Sequence, residues 1–158
     1  MTPQHPRAAR AALSALIAAA LLCAPPVRIA EASPNDASVR LEVTGLRDAK
    51  GQVGCLLFAT ADGFPSDHAK AHGEKRATIE AGRAICVFTE VPSGTYAAIV
   101  WHDANANGKM DKNVVGMPQE GYSASNDVRP SFSAPGFKES SFSVKAGTVT
   151  GLSIRIGY

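Results

Sequence analysis

The sequence predicts an all-β protein: a seven-stranded sandwich of immunoglobulin-like or transthyretin-like type, with one short helix and a long loop after the fifth strand. Three observations predict it. Past residue 38, short runs of alternating or β-branched residues are separated by Gly, Pro, Asp and Asn, which is the strand-and-turn rhythm of an all-β domain. One run, Tyr96 to His102, is continuously apolar, as a central strand covered on both faces is. A lone hairpin does not stand in water, so the several runs must share a core between two sheets.

The elements follow in order. Val39, Leu41 and Val43 alternate with Arg40, Glu42 and Thr44, which gives the first strand one wet face. Asp48-Ala49-Lys50-Gly51 turns the chain, and Gln52 to Thr60, carrying Val53, Cys55, Leu57 and Phe58, is a second and more buried strand. These two are expected to pair as a hairpin. Ser66 is placed to cap a short helix from about Asp67 to His72, with Gly73 ending it. Lys75 to Glu80 is the third strand, Ala81-Gly82 a turn, and Arg83 to Val91 the fourth, carrying Cys86 and Phe88. Pro92-Ser93-Gly94 turns tightly into the fifth strand, and an irregular stretch then runs from Asp103 to about Gly136. Lys138 to Val144 is the sixth strand and Ala146-Gly147 a turn. Val149 to Tyr158 is the seventh, with Leu152, Ile154 and Ile156 in phase.

Residues 1–32 read as a cleavable secretory signal. Arg7 and Arg10 form a positive n-region, and Ala11 to Leu22 is an apolar run of h-region length. That run is short of the roughly twenty residues a membrane-spanning helix needs. Ala30-Glu31-Ala32 supplies the small residues of a cleavage site, so Ser33 is the expected first mature residue. Cys23 leaves a lipoprotein alternative open, and the leader could also be retained as an anchor. Residues 33–37 are expected to be a flexible N-terminus and 38–158 the sandwich domain, working in the periplasm or outside the cell.

The chain has 16 basic and 14 acidic residues, and removing Arg7, Arg10, Arg28 and Glu31 with the leader leaves 13 of each. A neutral domain lacks the basic excess that phosphate contacts require, which argues against nucleic acid or an anionic membrane surface as partner. Cys55 and Cys86 remain after cleavage. In an oxidising compartment the simplest reading is a disulfide, contributing roughly 3–4 kcal/mol by closing its loop. Two buried free thiols are the alternative.

The chemically loaded segment is Asp103-Ala104-Asn105-Ala106-Asn107-Gly108-Lys109-Met110-Asp111. Oxygen-bearing side chains at alternate positions, then a Gly and a further Asp, match the first nine positions of an EF-hand loop. Ca²⁺ takes six to eight oxygens at about 2.3–2.6 Å. Asp103, Asn105, Asn107 and Asp111 would give side-chain ligands and Lys109 its carbonyl. Val114 stands where the bidentate Glu belongs, so the expected affinity is extracellular-grade, roughly 0.1–1 mM at best, unless Glu120 folds back to complete the shell. The competing reading is a metal-free loop of Asx-turns.

His102 and Asp103 are neighbours on a strand, so their side chains point to opposite faces and do not make the base–orienter pair of a hydrolytic triad. A small hydrolase using His102 is the remote alternative. His68 and His72 share a face of the expected helix but lack a third ligand for zinc. The stretch 112–136 holds Pro118, Pro130, Pro135, Tyr122 and Phe132. It is either a lid on the core or a surface for a protein or glycan partner.

Trp101-His102-Asp103 with the Asn/Gly/Asp loop, then Gly116-Met117-Pro118-Gln119-Glu120-Gly121-Tyr122 and Ser125-Asn126, resembles a family of exported bacterial proteins known as domain of unknown function 2141. The strand opening Val39 to Leu46, Gly63-Phe64-Pro65 and Val91-Pro92-Ser93-Gly94-Thr95-Tyr96 resemble it too. The last segment is also similar to transthyretin-like and collagen-adhesin sandwiches, some of which carry a calcium loop. Ala104 and Ala106 depart from the more polar pattern, at positions that point away from the proposed cation. The resemblance implies a fold and a compartment and no activity. The expectation is a non-catalytic exported binding or accessory module with a Ca²⁺-ordered loop; the alternative is a metal-free structural or cell-envelope interaction domain.

Overall fold

The computed structural model describes residues 37–130 and 133–158. The signal reading, its cleavage site and Phe132 lie outside the described residues.

The described chain is all-β, with eight strands in two sheets. Strands β1 (Ala37–Thr44), β4 (Ala84–Val91) and β8 (Val149–Arg155) form a three-stranded sheet in the order β4-β1-β8. Strands β2 (Gln52–Phe58), β3 (Gly73–Ala77), β5 (Gly94–Asp103), β6 (Tyr122–Ala124) and β7 (Ser141–Val144) form the second sheet. Its order is β3-β2-β5, and β5 pairs along its other edge with β7 at Gly94–Ala97 and with β6 at Ile99–Trp101.

Three expectations are corrected. The first two strands are not a hairpin: β1 pairs antiparallel with β4 and parallel with β8, while β2 lies in the other sheet between β3 and β5. The turn after Thr44 therefore carries the chain across the sandwich, and Gly45 takes a left-handed φ of 75° there. An eighth strand is added by Tyr122–Ala124, inside the stretch expected to be irregular. The expected helix is a single 3-10 turn at His68–Lys70, capped by the Asp67 carboxylate on the Ala69 amide and not by Ser66. Gly73 opens β3 instead of ending a helix.

The main core lies between the sheets. Val39, Leu41 and Val43 of β1 meet Val53, Cys55 and Leu57 of β2 and Ala98 and Val100 of β5. Cys55 and Cys86 are joined by a disulfide that ties β2 to β4, one strand from each sheet. Tyr96 is buried in this core and its hydroxyl donates to the Pro92 carbonyl (3.0 Å). Burial pushes its phenol above the ordinary tyrosine value.

A second apolar cluster lies on the opposite face of the larger sheet, formed by Leu56, Phe58, Ile99, Trp101 and Ala124. In a plain two-layer sandwich that face meets water. Here Phe64 and Ala71 of the segment 59–72, and Met110, Val128 and Phe137 of the connections after β5, pack over it. At one end Phe58, Phe64 and Phe137 close the face through edge-to-face ring contacts of 5.4 and 5.8 Å.

The covering segment is fastened by Ser125-Asn126-Asp127. The Ser125 hydroxyl accepts from the Ala98 amide (2.9 Å) and donates to the Ser140 carbonyl. The Asn126 amide donates to the Glu139 and Ser141 carbonyls, both at 3.0 Å. The Asp127 carboxylate accepts from the Arg155 amide (2.7 Å). These three residues tie β5, β7 and β8 together.

Candidate functional site

The open end of the outer cluster is a pocket of about 710 Å³. Leu56, Ile99, Trp101 and Tyr122 line its base, on neighbouring strands β2, β5 and β6. Pro65, Ser66 and His68 line one side, and the segments 108–118 and 130–135 supply the remaining described residues.

Trp101 is the organising side chain. Its strand neighbours are Gly54 on β2 and Tyr122 on β6. The indole lies across Gly54, where a Cβ would meet the ring at 2.2 Å, so the ring lies flat only because that residue has no side chain. The His68 ring stands edge-on to the indole at 5.6 Å, and the Arg76 guanidinium sits 6.0 Å from the ring centroid. Trp101 is 2% exposed, and its Nε1–H has no hydrogen-bond acceptor among the described residues. An indole nitrogen is a donor only, so nothing else in the side chain offsets this.

The Asp103–Asp111 loop forms the rim nearest Arg76. The Asp103 carboxylate is wholly buried and closes the loop by accepting from the Asn107 amide (2.9 Å) and the Gly108 amide (2.8 Å). It also accepts from the Gln52 side chain (2.8 Å) and from Arg76 (3.4 Å). Gly108 has φ of 83°, and a Cβ there would lie 3.0 Å from the Arg76 guanidinium. The Arg76 fork in turn donates to the Gly108 carbonyl (3.2 Å) and to Glu74.

Asn105, Asn107 and Asp111 do converge. The Asn105 and Asn107 amide nitrogens donate to the Asp111 carboxylate at 2.7 and 2.9 Å. Their oxygens accept from the Asn107 amide (3.1 Å) and the Lys109 amide (2.8 Å), as Asx-turns do. Glu120 folds back and accepts from the Ala104 amide (2.9 Å) and the Asp111 amide (3.1 Å). In this conformation amide N–H groups, not oxygens, face Asp111, and a cation would need both amides turned over. Among the described residues, no three or more His, Cys, Asp or Glu gather as a metal-ligand group. The oxygens on offer are the Asp111 carboxylate, the two Asn side-chain oxygens once turned, and main-chain carbonyls.

His102 and Asp103 lie on opposite faces of β5. His102 is buried, with Nδ1 2.6 Å from the Tyr158 hydroxyl and Nε2 2.8 Å from the Lys50 carbonyl. The Lys50 carbonyl only accepts, so Nε2 carries the proton. In a neutral ring Nδ1 accepts from the Tyr158 hydroxyl, whose oxygen accepts from the Arg47 amide (2.9 Å). Both ring nitrogens hold the 47–50 turn and Tyr158 in place. His68 and His72 diverge: His68 meets Glu74 (3.0 Å) and Trp101, while His72 stands against Tyr96.

Sequence reasoning did not reach Gln52, Gly54 or Arg76. A glycine inside an apolar strand signals a close approach, but it does not say which ring approaches.

The family model described as "Uncharacterized protein conserved in bacteria (DUF2141)" matches residues 41–151. The chain belongs to the DUF2141 family. The match runs from within β1 to within β8 and includes the Trp101 pocket and the Asp103–Asp111 loop. No curated protein and no solved structure matches the chain.

Proposed function

We propose that this DUF2141 protein is a non-catalytic exported binding module whose ligand site is the pocket over Trp101, on a sandwich of immunoglobulin-like or transthyretin-like kinship. One observation carries the reading. The outer face of the larger sheet is apolar, yet at Leu56, Ile99 and Trp101 it underlies a pocket instead of being filled as it is at Phe58. Concave sites with an apolar base and a few placed polar groups are where small ligands bind. The test uses 1-anilinonaphthalene-8-sulfonate as probe. The native protein is expected to bind it saturably at one site with energy transfer from Trp101. Ser66→Phe, which narrows the pocket, should weaken that binding. No saturable binding, or binding indifferent to Ser66→Phe, ends the reading.

A second element is a Ca²⁺-ordered loop. It is supported by the convergence of Asn105, Asn107 and Asp111 and by the return of Glu120. Turning both amides over would present their oxygens beside the Asp111 carboxylate, with the Lys109 carbonyl as main-chain ligand. Gly108, Lys109 and Met110 line the pocket, so ordering the loop would fix one pocket wall. Calorimetric titration after chelation should register heat and a thermal shift in the millimolar range of extracellular modules, about 0.1–1 mM. No heat and no shift at several times that concentration leaves the metal-free loop, held by its own Asx-turns. Protein or glycan partners would then be met by the rim of the pocket in 112–136.

A further inference from the structure

We infer that the pocket takes an amphiphilic carboxylate, a small molecule with an apolar body and one anionic end. The inference rests on the pocket being a ligand site and adds the chemistry of its occupant. Lys109 and Lys112 line the pocket, and no Asp or Glu lines it among the described residues. Neither lysine enters an ion pair among the described residues, whereas Lys70, on the neighbouring loop, is paired with Asp62 at 2.7 Å. A cationic ligand would meet like charge, whereas an anionic end is attracted to both exposed ammonium groups.

Leu56 and Ile99 offer no polar atom to a ligand, and Met110 and Met117 add adaptable apolar walls. The body of the ligand is therefore apolar. Size narrows the class further. About 710 Å³ lies in the range of pockets that enclose drug-sized molecules, not long-chain diacyl lipids.

Trp101 is the single tryptophan of the chain, so its emission reports on this pocket alone. The purified protein is titrated below micellar concentrations with decanoate, decanol and decylammonium. Decanoate should change the emission saturably and bind roughly tenfold or more tighter than the other two. The double variant Lys109→Gln/Lys112→Gln should lose that preference with an unchanged circular dichroism spectrum. Added salt should weaken decanoate, and not decanol, in the unaltered protein, which keeps the test independent of how the variant folds. Equal binding of all three probes, or a decanoate preference untouched by salt or by the lysine changes, overturns the ligand class and leaves the pocket standing. No response to any probe overturns both.

Discussion

The two sheets treat their outward faces differently. In the three-stranded sheet, β1 alternates between fully and half-buried positions, and β4 alternates buried with exposed along most of its length. Each has one dry and one wetter face, as a half-buried strand does. In the larger sheet, β2 is buried at every position after Gln52, and β5 at every position from Tyr96 to Asp103. Among the described residues the covering is loop with single 3-10 turns, and loop is where binding residues gather. A sandwich strand dry on both faces marks the face where long connections have been folded back.

The largest effect is expected at the link between the sheets. Replacing Cys55 and Cys86 together by alanine should lower stability by about 2–5 kcal/mol in denaturant titrations. The same loss should appear in the unaltered protein under reductant.

Truncation of core leucines separates the two faces. Leu41→Ala, between the sheets, should reduce stability by about 2–5 kcal/mol. Leu56→Ala, at the pocket base, should lie at or below the bottom of that range, because its surroundings are less closely filled, and should alter probe binding. Equal losses would mean that the outer cluster is a second core of the same kind.

Glycines give a smaller contrast. Gly54→Ala forces a methyl into the Trp101 ring and should destabilise by about 1–3 kcal/mol and shift the tryptophan emission. Gly151→Ala, on β8 with nothing within 4 Å of the added carbon, should be neutral or stabilise by about 0.5 kcal/mol.

The smallest effect is a pH dependence. Tyr96 holds its proton in the folded protein where the unfolded chain, with a value near 10.0, has released it. Stability from this group is complete below that value and is lost as pH rises through the higher folded value. Tyr96→Phe should flatten that alkaline limb of the thermal midpoint against pH.

Much of this was legible in the residues. The alternation of Val39, Leu41 and Val43, the continuous run from Tyr96 and the Cys55–Cys86 pairing all appear in the folded chain, because each is set by burial that a strand pattern records directly. Partnership was not legible. Val39–Thr44 and Gln52–Phe58 look like a hairpin because they are adjacent, yet their backbone groups are satisfied by strands distant in sequence. Tyr122–Ala124 is too short to show a period. The Asp103 loop was visible as a string of oxygens, while the Arg76 and Gln52 donors that meet it from β3 and β2 were not. The pocket, whose walls come from separate connections, had no signature in any one of them.

The parallel pairing of Ser38–Thr44 with Val149–Arg155 bears on how the chain is assembled. β1 has β8 as a lateral neighbour although more than a hundred residues separate them, so the smaller sheet cannot be finished until Val149–Arg155 has joined it. Such long-range closure slows folding. Until β8 docks, β1 has β4 alone as a paired neighbour and its other edge stays open.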